Sequence, residues 1–272
     1  MLEELTDYIA AMPEALRMGL PLLFLVFAIV AETALPLFQH EGRLRHIGQN
    51  LTLLAGIAII NLVIGFLVYG FLGYSDDMSF GLFSLVEVPF ILQFVICLLV
   101  LDFVAQYLAH AMLHRYRSLW KLHIVHHSDR TVDASTGARL HPLDYGFREV
   151  LAWTVVLLLG VPLGIYILYR TLTAFFTFFT HANLRMPEQL DRLVCTVFVT
   201  PNMHKVHHHF ERPWTNCNYG NLFSWWDRLC GTFAYVETDK LQYGLDVLDD
   251  RDDTTALQLF TLPFDNTVRT DY

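Results

Sequence analysis

Hydrophobic and polar positions divide the chain into long apolar runs joined by short polar links. Leu20 to Phe38 is almost wholly apolar, with Glu32 near one end. Leu51 to Gly73 follows, interrupted mainly by Asn61. Val88 to about Ala109 makes a third run, with Asp102 in its last third. About 20 apolar residues, wound as helix, cross a hydrocarbon core. The pattern predicts three spans, over about 20–38, 51–73 and 88–109. Phe147 to Leu159 is apolar too, Gly160-Val161-Pro162 breaks it, and Leu163 to Phe179 is apolar again. The first arm, about 13 residues or roughly 20 Å of helix, is short for a span. The stretch 147–179 is therefore expected to be a helical hairpin that dips in and returns; the pattern does not decide whether it crosses. The remainder, 110–146 and 181–272, is expected to form a helical cap over one end of a single membrane-embedded domain. Within it, Glu188 to Val199 has an amphipathic helical pattern.

Composition supports this all-α membrane bundle. Hydrophobic residues make up 54% and charged residues 17% of the 272, with mean hydropathy +0.39. An ordinary soluble domain carries about 25% charged residues. A net charge of −9 argues against a nucleic-acid partner. Cys97, Cys195, Cys217 and Cys230 form no C-x-x-C and are expected to be packing residues. The first 19 residues carry four acids against Arg17, unlike a signal peptide, and predict a short amphipathic segment before the first span. The acidic tail with Asp249, Asp250, Asp252 and Asp253 is expected to be a solvated surface segment.

Charge also sets an expected orientation. Arg43, Arg45 and His46 lie in the first link, and Arg115, Arg117 and Lys121 follow the third span. The 74–87 link is acidic. Lys and Arg concentrate on the cytoplasmic side, so the cap is expected to face the cytoplasm.

Histidine is where the chemistry concentrates. Five of the 13 histidines fall between Asp102 and Asp129: His110, His114, His123, His126 and His127. His204, His207 and His208 repeat the H-x-x-H-H spacing, and His181 returns at the end of the hairpin. Residues three and four apart share a helix face, so each cluster can aim several imidazoles at one place. Nine ligands are too many for one ion; two ions of five or six coordination could use them and keep open positions. The two H-x-x-H-H groups are expected to serve one ion each. Position alone leaves His181 undecided. His40, His46 and His209 are expected to be ordinary packing or surface histidines. So is His141, unless it stands close behind the ligands. Asp102, Asp129, Asp133 and Asp227 are the carboxylates that could orient ligating rings. Asp102 is expected to support the site or line a cavity rather than bind metal. An H-E-x-x-H metalloprotease is set aside, because Ala111 follows His110 and Lys205 follows His204.

The motifs D-F-x-x-Y-x-x-H-x-x-x-H (Asp102 to His114), L-W-K-L-H-I-V-H-H-S-D, R-L-H-P-L-D (Arg139 to Asp144), H-A-N-L-R-M-P (His181 to Pro187), M-H-K-V-H-H-H and N-Y-G-N-L-F-S-W-W-D-R-L-C-G-T (Asn218 to Thr232) resemble those of the fatty acid hydroxylase superfamily, which includes sterol desaturases and sterol methyl oxidases. The resemblance covers roughly residues 35–265. It implies a membrane-embedded di-iron centre that uses O2 and two electrons on a lipid C–H bond, with His181 among the ligands. Asn183, within the H-A-N motif, is expected to stand close to the site. The resemblance does not separate a hydroxylase from a desaturase. A metal-binding or metal-transporting membrane protein is the alternative from another class. Without a fused electron-transfer domain, the donor would be a separate ferredoxin- or cytochrome b5-type protein. The C-terminus has no retrieval signal, so a bacterial inner membrane is expected. The oligomeric state is not legible.

Overall fold

A computed structural model describes residues 1–39, 41–71, 80–236, 240–248 and 255–270. Among the described residues the chain is helical, with isolated bridges such as Pro36 to Leu184 in place of sheet. His40 and the acidic run at 249–253 fall outside the described residues, so neither expectation for them can be placed.

Helix α1 (Leu2–Ala10) is the amphipathic lead-in. Helices α2 (Glu14–Ala34) and α3 (Arg43–Gly65, continuing as π turns through Phe71) are the first two spans. A short α4 (Leu82–Leu85) precedes α5 (Phe90–Leu101), which runs through π turns at Asp102–Leu108 into α6 (Ala109–Arg115). The cap begins with α7 (Arg117–His127); α8 (Pro142–Leu159) and α9 (Leu163–His181) form the hairpin. Four helices are long and apolar enough to cross a membrane: Glu14–Ala34, Arg43–Val68, Phe90–Arg115 and Leu163–His181. The spans are thus where the apolar runs predict them, but their ends move. The second begins at Arg43, not 51, because Arg43 is not in a loop at all: it reaches back from the first turn of α3 to pair with buried Glu32 on α2. The third runs on to Arg115 and carries His110 and His114 on its last turns.

The hairpin is deeper than its 13-residue apolar arm suggests. Its first helix starts at Pro142, five residues early, because polar Asp144, Arg148 and Glu149 find partners inside the bundle. Its turn reaches the level at which the third span begins. A Cβ on Gly160 (φ +71°) would sit 2.1 Å from Phe80 O, and one on Gly81 (φ +81°) 2.2 Å from Gly160 N. Two facing glycines allow this approach and tolerate the positive φ. Beside the turn, a Cβ on Gly164 would meet Thr6 O at 2.1 Å, which seats α1 on the start of α9.

The histidines lie at the opposite end. There the α2–α3 link meets the chain after His181: Leu37 N–H donates to Asn183 O, and Arg185 N–H to Leu35 O. Helices α10 (Glu188–Val194), α11 (Pro201–His207) and α12 (Trp225–Cys230) follow, α10 ending five residues before the predicted Val199. Helix α13 (Ala256–Thr261) and the 3-10 turn after it pack Leu259 and Leu262 with Leu53 of α3 and Trp120, Ile124 and Val125 of α7. Cys97, Cys195 and Cys217 are buried as packing residues and Cys230 is exposed.

Candidate metal centre

All nine histidines converge, in two groups. His110, His114, His123, His127 and His207 form one; His126, His181, His204 and His208 form the other. Within each group the ring nitrogens lie within 4.8 Å of one another, and all nine residues are buried except His114, which is partly so. The grouping departs from the expectation that each H-x-x-H-H serves one ion. Both triplets are divided. His123 and His127 go to the five-histidine group and His126 to the other; His204 and His208 go to the four-histidine group and His207 to the other. Helix geometry is the reason. Residues i and i+4 are only about 40° apart around an α-helix, whereas i+3 falls about 60° to the other side of i. Each triplet therefore straddles both groups and locks them side by side.

The ring contacts test whether a cation belongs there. His110 Nδ1 is 2.9 Å from Tyr219 O, His207 Nδ1 2.7 Å from Cys217 O and His181 Nδ1 2.6 Å from Thr177 O. His123 Nδ1 is 2.6 Å from Asp144 Oδ2, and His114 Nδ1 3.2 Å from Asn216 Oδ1. These oxygens only accept. Each Nδ1 therefore donates, which leaves each Nε2 with a bare lone pair. Yet His110 Nε2 faces His123 Nε2 at 2.9 Å, and His181 Nε2 faces both His126 Nε2 and His204 Nε2 at 3.0 Å. The two lone pairs of His110 and His123 repel unless a cation lies between them. Nε2 of His114, His127 and His207 and both nitrogens of His208 are buried without hydrogen-bond partners, a cost that a metal removes. Two nitrogens bound side by side to one ion at about 2.1 Å would stand about 3.0 Å apart. The donor set fits a metal.

Burial, and then the neighbouring imidazoles, hold His126, His127, His204, His207 and His208 well below the usual histidine range. Burial lowers His123 as well, with Asp144 opposing it. All six are thus neutral at pH 7, the form in which an imidazole can bind a metal. A histidine depressed in the folded state contributes stability above its unfolded value of about 6.5 and loses it as pH falls further. Metal content followed by dialysis at stepped pH should hold between pH 7 and 8 and fall steeply below about 6.

Of the residues expected to stand behind the histidines, Asp227 does so through one peptide, and the others hydrogen-bond to different groups. Buried Asp102 accepts from the N–H groups of Leu222 (3.3 Å) and Phe223 (3.2 Å) and from Trp226 Nε1 (2.7 Å). It neither reaches a histidine nor lines the cavity described below. Winding as π turns (i→i+5) between it and His110 changes the helix register, which turns its carboxylate toward the 222–226 segment. Asp227 accepts from Tyr219 N–H and Gly220 N–H, and so fixes the peptide whose carbonyl holds His110. Asp129 accepts from His46 Nε2 and Thr136, and Asp133 caps the 3-10 turn Ala134–Ala138 and meets His46 Nδ1. Burial alone would raise the Asp129 carboxyl; His46 outweighs it and holds Asp129 well below the carboxylate range. His46 is therefore no ordinary surface histidine. It ties the second span to the loop beyond His127. His141 caps α8 through Leu143 N–H. Asn183 pins the α2–α3 link through Phe38. The carboxylate that does hold one of the nine rings directly is Asp144, the last residue of R-L-H-P-L-D, which sequence reasoning passed over.

One cavity of about 690 Å³ opens onto the centre. His110, His126, His181 and His204 line its inner end, and it extends between α2, α3, α8 and α9 to Arg17 and Leu163.

Comparison with known proteins agrees with this architecture. The fatty acid hydroxylase family model matches residues 94–232, just over half of the chain. Ornithine lipid hydroxylase OlsE of Rhizobium tropici is 35% identical over 146 residues, 53% of this chain and 43% of that protein. Alkylglycerol monooxygenase of Caenorhabditis elegans is 30% identical over 154 residues (56% and 29%), and that of Homo sapiens 30% over 144 residues (51% and 30%). The chain thus covers less than half the length of these curated relatives. No solved structure gives a significant match. The span of the family match, from the third apolar helix through both histidine groups, shows that this membrane-embedded helical chain belongs to the fatty acid hydroxylase family.

Proposed function

We propose that the two histidine groups hold two iron ions and that the protein hydroxylates a C–H bond of a membrane lipid with O2. The observation that carries this reading is the convergence of nine imidazoles, five and four, five of which turn their proton-bearing nitrogen outward to a carbonyl, amide or carboxylate oxygen. Iron held there supplies the oxidation: C–H, O2, two electrons and two protons become C–OH and water. The electrons come from a separate ferredoxin- or cytochrome b5-type donor. The chain itself contributes positioning and exclusion. Carbonyls of Thr177, Cys217 and Tyr219 and the carboxylate of Asp144 fix the rings, so no reorganisation is needed during turnover. The buried centre keeps bulk water out, and the cavity delivers the lipid from the bundle side. Names of the relatives favour hydroxylation over the desaturation that the same centre could perform. No observation favours metal transport. The basic first turns of α3 and α7 support a cytoplasmic face, and the bacterial relative supports an inner membrane. His123, His110, His114, His127 and His207 serve one ion, and His126, His181, His204 and His208 the other.

Metal analysis tests this. Purified protein should carry about two iron ions per chain, and His126→Ala should lose at least the ion of the four-histidine group. Well under two metals in the wild type, with His126→Ala unchanged, would sink the reading.

A further inference from the structure

The cavity wall is charged where a lipid-tail tunnel would be aliphatic. Glu149 on α8 and Arg170 on α9 form an ion pair inside the hairpin, with side chains 3% and 28% exposed. Tyr145 receives a hydrogen bond from Arg170 and donates at 2.8 Å to Asn61 of the second span. Arg148, one residue before Glu149, lines the same cavity and donates to Asp144. Nearer the histidines, Asn221 donates its amide to Thr177 Oγ1 at 2.8 Å, while its buried Oδ1 has no partner. That acceptor lines the cavity beside His181 and His204.

A merely structural role accounts poorly for this set. Ionisable groups within spans are expensive and normally mark a substrate path or a polar cavity. A buried ion pair holds helices together no better than packed apolar side chains do. An acyl chain in this cavity would also bury the charged pairs of Arg148 and Arg170 and leave Asn221 Oδ1 without a bond. A polar head answers both: an anionic group toward Arg148 and Arg170, and an N–H or O–H donor toward Asn221.

We propose that the cavity takes the polar head of the lipid, one that carries an anionic group and a hydrogen-bond donor, and that the hydroxylated carbon lies in or next to that head rather than along an acyl chain. This rests on the oxygenase reading above, and the experiment separates the two. Protein in nanodiscs is supplied in turn with phosphatidylethanolamine, an N-acyl amino-acid lipid, phosphatidylglycerol, diacylglycerol and free fatty acid. Lipid retained by the protein is measured by native mass spectrometry, and the position of any new oxygen by fragmentation of the extracted lipid. One or more of the three lipids whose head carries both an anionic group and a donor should be retained at least tenfold better than diacylglycerol and fatty acid; which of them decides between phosphate and carboxylate. The paired variant Glu149→Gln with Arg170→Gln, and separately Asn221→Ala, should lose that preference while keeping the wild-type metal content. Oxygen found on an acyl fragment, or equal retention of all five lipids by the wild type, overturns the inference and leaves the oxygenase reading standing. No O2-dependent product from any lipid, together with selective retention of polar heads, supports the head site and counts against the oxygenase reading.

Discussion

Replacing Asp144 by Asn should lower the affinity of the five-histidine group for its ion by about 10- to 100-fold, and leave the four-histidine group loaded. Asp144 is fully buried in the first turn of α8. Its Oδ2 takes the Nδ1 proton of His123 at 2.6 Å, and its Oδ1 takes Arg148 Nε at 2.9 Å. The carboxylate thus does two things. It holds the ring so that Nε2 faces His110, and its charge makes that nitrogen a stronger donor to metal. Asn keeps the shape and one accepting oxygen but removes the charge and leaves Arg148 without its anion. Arg148 keeps some contact with the cavity, so the fold should survive. Metal titration of apoprotein should then show one tight and one weakened site, and metal content after dialysis should fall from about two toward one per chain. Two sites of wild-type affinity in Asp144→Asn would remove Asp144 from the centre. Asp129→Asn is the control: its hydrogen bonds go to His46 and Thr136, so it should change thermal stability more than metal stoichiometry.

That Asp144 escaped the sequence reading while the nine histidines did not has a physical cause. Histidines at i, i+3 and i+4 announce themselves, because helix geometry alone puts them together. The apolar runs announce the spans in the same way, since about 20 residues of helix match a bilayer. Neither rule reaches across the fold. Asp144 meets His123 over 21 residues of sequence, and His46 meets Asp129 and Asp133 over 83 and 87. Asp129 and Asp133 follow His127 closely in sequence, yet packing gave the direct contact to Asp144. Charge misplaced the second span for a related reason. Arg43, His46 and Asn50 look like loop residues, yet each has a partner on another element: Glu32, Asp129 and Ser135. The division of each H-x-x-H-H between two groups was legible in principle. It follows from the 100° step of the helix, but only once the facing helices are known to come from both sides.

Asp102→Ala is expected to be the most destabilising single change in the bundle, at about 3–5 kcal/mol. The carboxylate is fully buried and satisfies three donors: the Leu222 and Phe223 N–H groups and the Trp226 indole. Alanine strands all three, and each stranded buried donor costs about 1–3 kcal/mol. The loss is confined to one segment at first. Residues 219–226 would come away from the third span, and with them Tyr219, whose carbonyl orients His110. Gly220 has little room to compensate, since its N–H is held by Asp227 and a Cβ there would sit 2.9 Å from Asp227 Oδ2. Asn at 102 should fall between the two, because its amide oxygen can serve one donor while its NH2 group faces the others. Thermal melting in detergent orders the three proteins: wild type, then Asp102→Asn, then Asp102→Ala. Hydrogen exchange places the effect. Amides of residues 219–226 should lose protection in Asp102→Ala before those of α8 or α9 do. A variant that melts with the wild type and keeps 219–226 protected would show that Trp226 packing on Phe103, with ring centroids 5.0 Å apart, holds the segment without the carboxylate.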